Sequence, residues 1–358
     1  MKYVHPIIFF LFFSSVWSCQ SPDQHSLKVP DSPDFAPQYA TGFSIQNHQI
    51  TIQEPWPGAQ NPFDFTWTSP PQKIVVTGTT ALPYLELLGE GEKLVGFPGT
   101  SYIYSSFFRD RVDKGLIHDL GPDGQLNLEL LFELEPDLVV VFDMGNESTH
   151  LDKIQQAGIP LLYNSDFLET SVLGRTEWIK VFGAILDKQA QADSIFNAIA
   201  SDYTELQKKV VAIGNRPDVL SGILYGETWF LPGGQNGTAQ LIQDAGGNYI
   251  WKDTPQTGWL ELSYETVVEK AYQADYWLGV GTIKSRDEMI SLDPRYEYFE
   301  ALQQGNVYHY GKRISPAGGY DYFESGYARP DLILADLIKI FHPELVTDHT
   351  LVYFDPLD

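Results

Sequence analysis

The stretch Leu128-Glu-Leu-Leu-Phe-Glu-Leu-Glu-Pro136-Asp137-Leu-Val-Val-Val-Phe142-Asp-Met-Gly-Asn-Glu-Ser-Thr-His-Leu151-Asp-Lys-Ile-Gln-Gln-Ala-Gly158-Ile-Pro-Leu-Leu-Tyr163 decides the fold. Leu128 to Leu134 reads as a short amphipathic helix. Pro136-Asp137 stops it, and Leu138 to Phe142 is an unbroken apolar run of strand length. Leu151 to Ala157 is a second helix, closed by Gly158, and Ile159 to Tyr163 is a second apolar strand. Apolar-run strands alternating with helices signal a parallel sheet covered on both faces.

The same grammar extends upstream. Lys73 to Thr77 is a strand that runs into Gly78-Thr79-Thr80. A helix from Leu82 to Leu88 ends at Gly89, and Lys93 to Phe97 is another strand. Downstream, Ser171 to Ile213 carries apolar residues at Trp178, Phe182, Ile185, Ala192, Phe196, Ile199, Tyr203, Leu206 and Val210, one stripe at helical spacing. Asp187 is the expected N-cap dividing it, which leaves a helix from Lys188 to Ile213, on the order of 35 Å long at 1.5 Å per residue. The α/β pattern then restarts. Strands are expected at Asp218–Tyr225, Tyr276–Val280 and Val307–Tyr310, with helices at Gly237–Ala245, Tyr264–Ala271 and Pro330–Phe341. The expected architecture is α/β: two Rossmann-like lobes with parallel sheets, bridged by a single long helix, with a ligand cleft between the lobes.

The amino-terminal part is different. Phe43 to Ile52 alternates apolar and polar residues, a hairpin with its turn near Asn47 and His48. Before it, Lys2 and His5 flank an apolar run from Ile7 to Phe13, followed by Val16-Trp17-Ser18-Cys19. A charged start, a short apolar core and a small residue before the cut make an export leader. Because it ends on Cys19, the only cysteine in the chain, it resembles a bacterial lipoprotein signal, with lipidation expected at that thiol. The organisation expected is a leader at 1–18, a lipid-anchored tether at 19–37, a hairpin extension at 38–71, a first α/β lobe at 72–170, a helical linker at 171–214, a second lobe at 215–345 and a tail at 346–358.

Composition narrows the partners. A formal charge of −24 over 358 residues speaks against nucleic acid and anionic lipid, which need clustered Lys and Arg. The apolar run at the start falls short of the roughly 20 residues a spanning helix needs, so contact with the membrane is expected through the lipid alone. With one cysteine no disulfide framework is possible, and stability must come from a core. A chain of this length is expected to divide it between two lobes.

Two segments are similar in plan. Leu126-Asn127-Leu128-Glu129 precedes Pro136-Asp137-Leu-Val-Val, and Leu262-Ser263-Tyr264-Glu265 precedes Ala274-Asp275-Tyr-Trp-Leu. With the two-lobe plan, this duplicated pattern resembles the substrate-binding proteins of ABC importers, in the iron-siderophore, haem and cobalamin class. The similarity runs from about Lys73 to Leu345. It implies a monomeric, non-enzymatic protein at the cell envelope, facing the periplasm, which hands a small metal chelate to a permease and its ATPase. No resident cofactor is implied; the ligand would be a ferric siderophore, haem or a corrinoid. The resemblance implies that Glu129 and Glu265 pair with arginines of the permease, on an outer face away from the strand ends.

Ligands of open α/β sheets bind at the carboxyl ends of the strands. That selects Thr79, Tyr102 and Phe142 in the first lobe, and Trp229, Trp259, Arg313 and Tyr320 in the second, as ligand-binding residues. Phe142 and Trp259 match aromatic positions of the cobalamin-binding member of the class, whereas another of its aromatic positions is missing around Pro122. Arg313, beside Lys312, would complement an anionic siderophore. Axial ligands to haem would come from His118, Tyr102 or Tyr320. The histidines are scattered, so a free-metal site is not expected. No Gly-x-Ser-x-Gly elbow or P-loop occurs, so no catalytic residue is named. A surface lipoprotein without a transport role is the remaining alternative.

Overall fold

A computed structural model describes residues 1–2, 36–122, 125–146 and 149–358. Cys19 and nearly all of the expected leader and tether lie outside the described residues.

The first lobe is preceded by a small sheet of β1 (Phe43–Gln46), β2 (Gln49–Ile52) and β3 (Phe63–Thr66). Asn47 and His48 form the expected two-residue turn, both at positive φ (48° and 60°), the geometry that matches strand twist in a tight hairpin. The expected hairpin is extended by β3, which pairs antiparallel with β2 out of the Pro- and Gly-rich stretch. Phe43, Ile45, Ile50, Ile52 and Phe65 are buried. The chain entering this sheet is held by two carboxylates. Glu177 accepts from the N–H groups of Gln38, Tyr39 and Ala40, and Glu169 from those of Thr41 and Gly42.

The strands β4 (Ile74–Val76), β5 (Leu94–Phe97), β6 (His118–Asp119), β7 (Leu138–Val141) and β8 (Leu161–Tyr163) form one parallel sheet in the order β6-β5-β4-β7-β8. The central strands β4 and β7 are fully buried, which is why they read as continuous apolar runs. The chain leaves β4 on one side toward β5 and returns on the other at β7, so the strand order reverses between β4 and β7.

Three helices follow: Val172–Glu177, Ile179–Ile185 and Gln189–Val210. All the stripe positions are buried except Leu206, which is half-buried. The long helix has 22 residues, about 33 Å at 1.5 Å per residue. The break falls where expected, but Asp187 makes it by taking the left-handed conformation (φ 59°) rather than as N-cap, the N-cap position being Lys188.

The second lobe opens with β9 (Asp218–Ser221), β10 (Ile223–Tyr225) and β11 (Thr228–Pro232), continues with β12 (Asn248–Tyr249), β13 (Trp259–Ser263) and β14 (Tyr276–Leu278), and ends with β15 (Val307–His309) and β16 (Asp355–Pro356). Strands β12-β9-β14-β15 are parallel, and β16 closes the edge antiparallel. The expected single strand from Asp218 to Tyr225 is two, split at Gly222. The second of them joins β11 and β13 in a separate antiparallel sheet. The expected carboxyl-terminal tail is likewise built into the lobe. It supplies β16, and the buried carboxylate of Asp336 accepts from the N–H groups of Val352, Tyr353 and Phe354.

Candidate functional site

The loops at the carboxyl ends of β4, β5 and β7 meet the segment after β15 and enclose a cavity of about 400 Å³. Among the described residues, its wall carries the rings of Phe97, Tyr102, Phe142, Phe167, Tyr320, Phe323 and Tyr327, and a single charged side chain, Arg175. It opens beside the point where the strand order of the first lobe reverses, the place where open α/β sheets bind ligands.

Local chemistry fixes these loops. Thr77 Oγ1 accepts from the N–H of Phe142 at 2.8 Å, tying the ends of β4 and β7 together. A Cβ at Gly78 would lie 2.7 Å from that of Phe142, so only glycine lets the two loops approach this closely. Phe142 packs on Phe167 with centroids 4.8 Å apart. The loop carrying Tyr102 is anchored by Asp119, whose carboxylate accepts from the N–H groups of Gly99 and Thr100 and from the Thr100 hydroxyl. Tyr320 is set by a loop that doubles back, with Ser315 N–H donating to the Gly319 carbonyl at 2.8 Å. Burial raises the phenol pKa values of Tyr320 and Tyr327, keeping both protonated.

The two lobes touch along a seam beside this cavity. Thr79 Oγ1 donates to the Phe323 carbonyl at 3.2 Å. The Glu324 carboxylate accepts from the N–H groups of Tyr104 (2.7 Å) and Ser105 (2.9 Å). A Cβ at Gly319 would lie 2.3 Å from the Tyr102 carbonyl oxygen, so backbone meets backbone here. Across the seam lies a larger cavity of about 760 Å³, with Arg109, Arg313, Asp321, Glu324 and Arg329 on its wall. Its arginines are paired with neighbouring carboxylates. Arg313 Nε lies 2.9 Å from Asp321 Oδ2 and Arg329 Nη2 2.6 Å from Asp331 Oδ2.

Of the residues expected to bind ligand, Thr79, Tyr102, Phe142 and Tyr320 line the aromatic cavity. Trp229 does not. It is fully buried in the second lobe, stacked on Trp277 at 5.3 Å, with its indole N–H donating to the Ser221 carbonyl. It sits on β11, whose inward face belongs to the core, and not on a loop. Trp259 is exposed on β13 and is absent from the wall of either cavity. Arg313 lies on the other side of the seam, engaged with Asp321 and with the Tyr104 hydroxyl at 3.2 Å. His118, one of the axial candidates, is exposed on β6 and does not line the cavity, whereas Tyr102 and Tyr320 do. Arg175, Phe167, Phe323 and Tyr327 join the wall without having been expected there. Arg175 stands on a helix of the linker, and only folding brings that helix beneath the loops.

Glu129 and Glu265 are both exposed, each in the first turn of a capped helix. Asn127 Oδ1 accepts from Leu130 N–H, and Ser263 Oγ from Thr266 N–H. Hydrogen bonds from its own N–H and from Ser263 hold the Glu265 carboxyl below the usual carboxylate range. Their position differs from the expected outer face away from the strand ends. Each helix returns the chain to the start of a strand parallel to its neighbours, so its first turn lies at the carboxyl edge of the sheet. Asn127 N–H accordingly donates to the Leu120 carbonyl, just past β6. The two glutamates therefore share an edge of each lobe with the cavity loops.

The sequence pattern of the periplasmic binding protein family matches residues 74–314. Among solved structures, a periplasmic haem-binding protein of Pseudomonas aeruginosa superposes with a TM-score of 0.61, at 18% identity, over 80% of this chain and 98% of that one. A periplasmic binding protein of Veillonella parvula gives 0.63 at 17% identity, over 82% and 98%. An uncharacterized lipoprotein of Methanocaldococcus jannaschii is 26% identical over 286 residues, which is 77% of this chain and 66% of that relative's length. A second uncharacterized lipoprotein of the same organism is 26% identical over 73% of this chain and 67% of its own. The two α/β lobes, the linker with its long helix, the cavity at the carboxyl ends of the strands and the match over both lobes bear out the resemblance read from the duplicated Glu129 and Glu265 segments: this chain belongs to the periplasmic binding protein family.

Proposed function

We propose that the protein captures an iron chelate in the aromatic cavity and delivers it to an ABC permease and its ATPase, while tethered to the cell envelope through a lipid on Cys19. The observation that carries this reading is the wall itself, seven rings and one guanidinium around about 400 Å³. Pockets of about 300–1,000 Å³ with apolar walls and few polar groups suit small ligands. Flat faces and a single positive charge favour a flat, largely apolar chelate of low charge. That balance favours haem over a multiply anionic ferric siderophore, which would call for several cations. Tyr102 and Tyr320 on the wall are then the oxygen donors available to the iron, each giving up its phenol proton on binding, since His118 is outside. The name of the Pseudomonas relative agrees with this. A corrinoid is less favoured, because Trp259, which the resemblance paired with Phe142, is not on the wall. The aromatic cavity likewise speaks against a purely structural surface lipoprotein.

The test is an equilibrium titration of the purified protein with haemin, a ferric catecholate and cobinamide, followed by visible absorbance. Saturable binding of haemin, weakened at least tenfold in Tyr320→Ala, is expected. Saturation by cobinamide or the catecholate alone would replace haem with that ligand. Saturation by none would refute the reading.

A further inference from the structure

Among the described residues, Arg175 is the only charged one on the wall of the aromatic cavity. Its guanidinium carbon lies 3.8 Å from the centroid of Tyr327, a close cation–π contact. Its Nη2 is 3.9 Å from Asp166 Oδ1, beyond hydrogen-bond reach, so that contact is coulombic only. The oxygens of the fully buried Asp166 are already engaged. Thr80 Oγ1 is 3.2 Å from one and Tyr84 Oη 3.2 Å from the other. Arg175 Nε is buried with no hydrogen-bond partner. The guanidinium is thus held against a ring, with its Nε lacking an acceptor and a fifth of the side chain still exposed. A buried donor without an acceptor is costly, and the planar fork matches a carboxylate in two-point contact.

We propose that Arg175 selects the ligand by a carboxylate, so that the cavity takes metal chelates carrying a carboxylate group rather than neutral ones. The inference rests on the reading of this cavity as the ligand site. Tyr327 and Asp166 position the fork; the carboxylate docks on it while the rings clasp the flat face. A counter-ion to Asp166 is the competing role, and it predicts no preference among ligands.

The experiment titrates the wild-type protein, Arg175→Gln, Arg175→Lys and the neutral pair Arg175→Gln/Asp166→Asn with haemin and with haemin dimethyl ester, which lacks the carboxylates. The pair is included because Arg175→Gln alone leaves Asp166 without its counter-charge; thermal melts establish which variants are folded. The wild-type protein is expected to prefer haemin by about tenfold to a hundredfold, the worth of a charge-assisted hydrogen bond. The Gln variants are expected to bind the two compounds alike, and Lys to restore part of the preference. A wild-type protein that binds both compounds equally, or a folded Gln variant that still prefers haemin, overturns the role of Arg175 and leaves the haem reading standing. A wild-type protein that binds neither compound overturns the haem reading, and the selection with it.

Discussion

Asp137 and Asp275 make the same contact in the two lobes. Asp137 Oδ2 accepts from the N–H groups of Gln72 (2.8 Å) and Lys73 (2.9 Å), and Asp275 Oδ2 accepts from that of Asp218 (2.7 Å). Each carboxylate stands just before a central strand, β7 or β14, and fastens the start of its neighbour, β4 or β9. The recurring Asp before an apolar run is therefore a sheet-register device at the amino edge, opposite the cavity. Asp137→Ala and Asp275→Ala are each expected to lower stability by about 1 kcal/mol, the net worth of an exposed charge-assisted bond. As the sites lie in different lobes, the double variant should be additive. Chemical denaturation measures this, and ligand affinity should stay unchanged.

Trp229 and Trp259 should behave in opposite ways. Trp229 is enclosed by Trp277, Tyr296 and Phe299. Its replacement by alanine should cost about 3–5 kcal/mol, as a large buried ring does. Trp259→Ala should leave stability within about 0.5 kcal/mol, as exposed substitutions do. Denaturant titration of both variants checks the pair.

Glu324 should give the stability curve a definite pH dependence. Burial raises its pKa from the ordinary value of 4.5 to about 7, against the two backbone N–H groups that favour the charged form. The folded state therefore holds a proton that the unfolded chain has lost. Its contribution is fully present below about pH 4.5, declines as pH rises, and is gone above about pH 7. A shift of this size corresponds to at most about 3 kcal/mol. Relative to Glu324→Gln, the wild-type protein should lose stability between these two pH values and run parallel above and below them. Denaturation across that range reads the difference directly.

The sequence revealed the apolar strands because each is buried on both faces, leaving no alternation to confuse them with surface strands. It marked Asn47-His48 because the alternation breaks at the four polar residues between Ile45 and Ile50, with these two at their centre. The sheet of β10, β11 and β13 was not legible. Gly226-Glu227 reads as the start of a loop, and nothing local tells that Thr228 to Pro232 turns back along it with Trp229 inward. Thr79, Tyr102, Phe142 and Tyr320 could be found because they follow strand ends. Arg175, Phe323 and Tyr327 could not, because helices far apart in the chain bring them to the wall. The first turns holding Glu129 and Glu265 lie at the carboxyl edge because each helix runs antiparallel to the strand it feeds, a placement that motif order alone does not carry.

Reversal of Glu129 and Glu265 to lysine separates docking from capture. Both side chains are exposed and outside the cavity wall. The double variant should keep its melting temperature and its affinity for ligand. In membranes reconstituted with the cognate transporter it should fail to stimulate ATPase activity, because a lysine cannot pair with a permease arginine. Loss of ligand affinity with stimulation retained would mean that the two roles are reversed.

The central claim is that ligand lodges among the rings between the ends of β4, β5 and β7 and the segment after β15. Iron anomalous scattering from crystals grown with haemin tests it most directly. The account predicts one strong peak inside the cavity lined by Tyr102, Phe142 and Tyr320, with a carboxylate on Arg175. A peak across the seam beside Arg313, a peak on the exposed face of Trp259, or no ordered iron at all would contradict it.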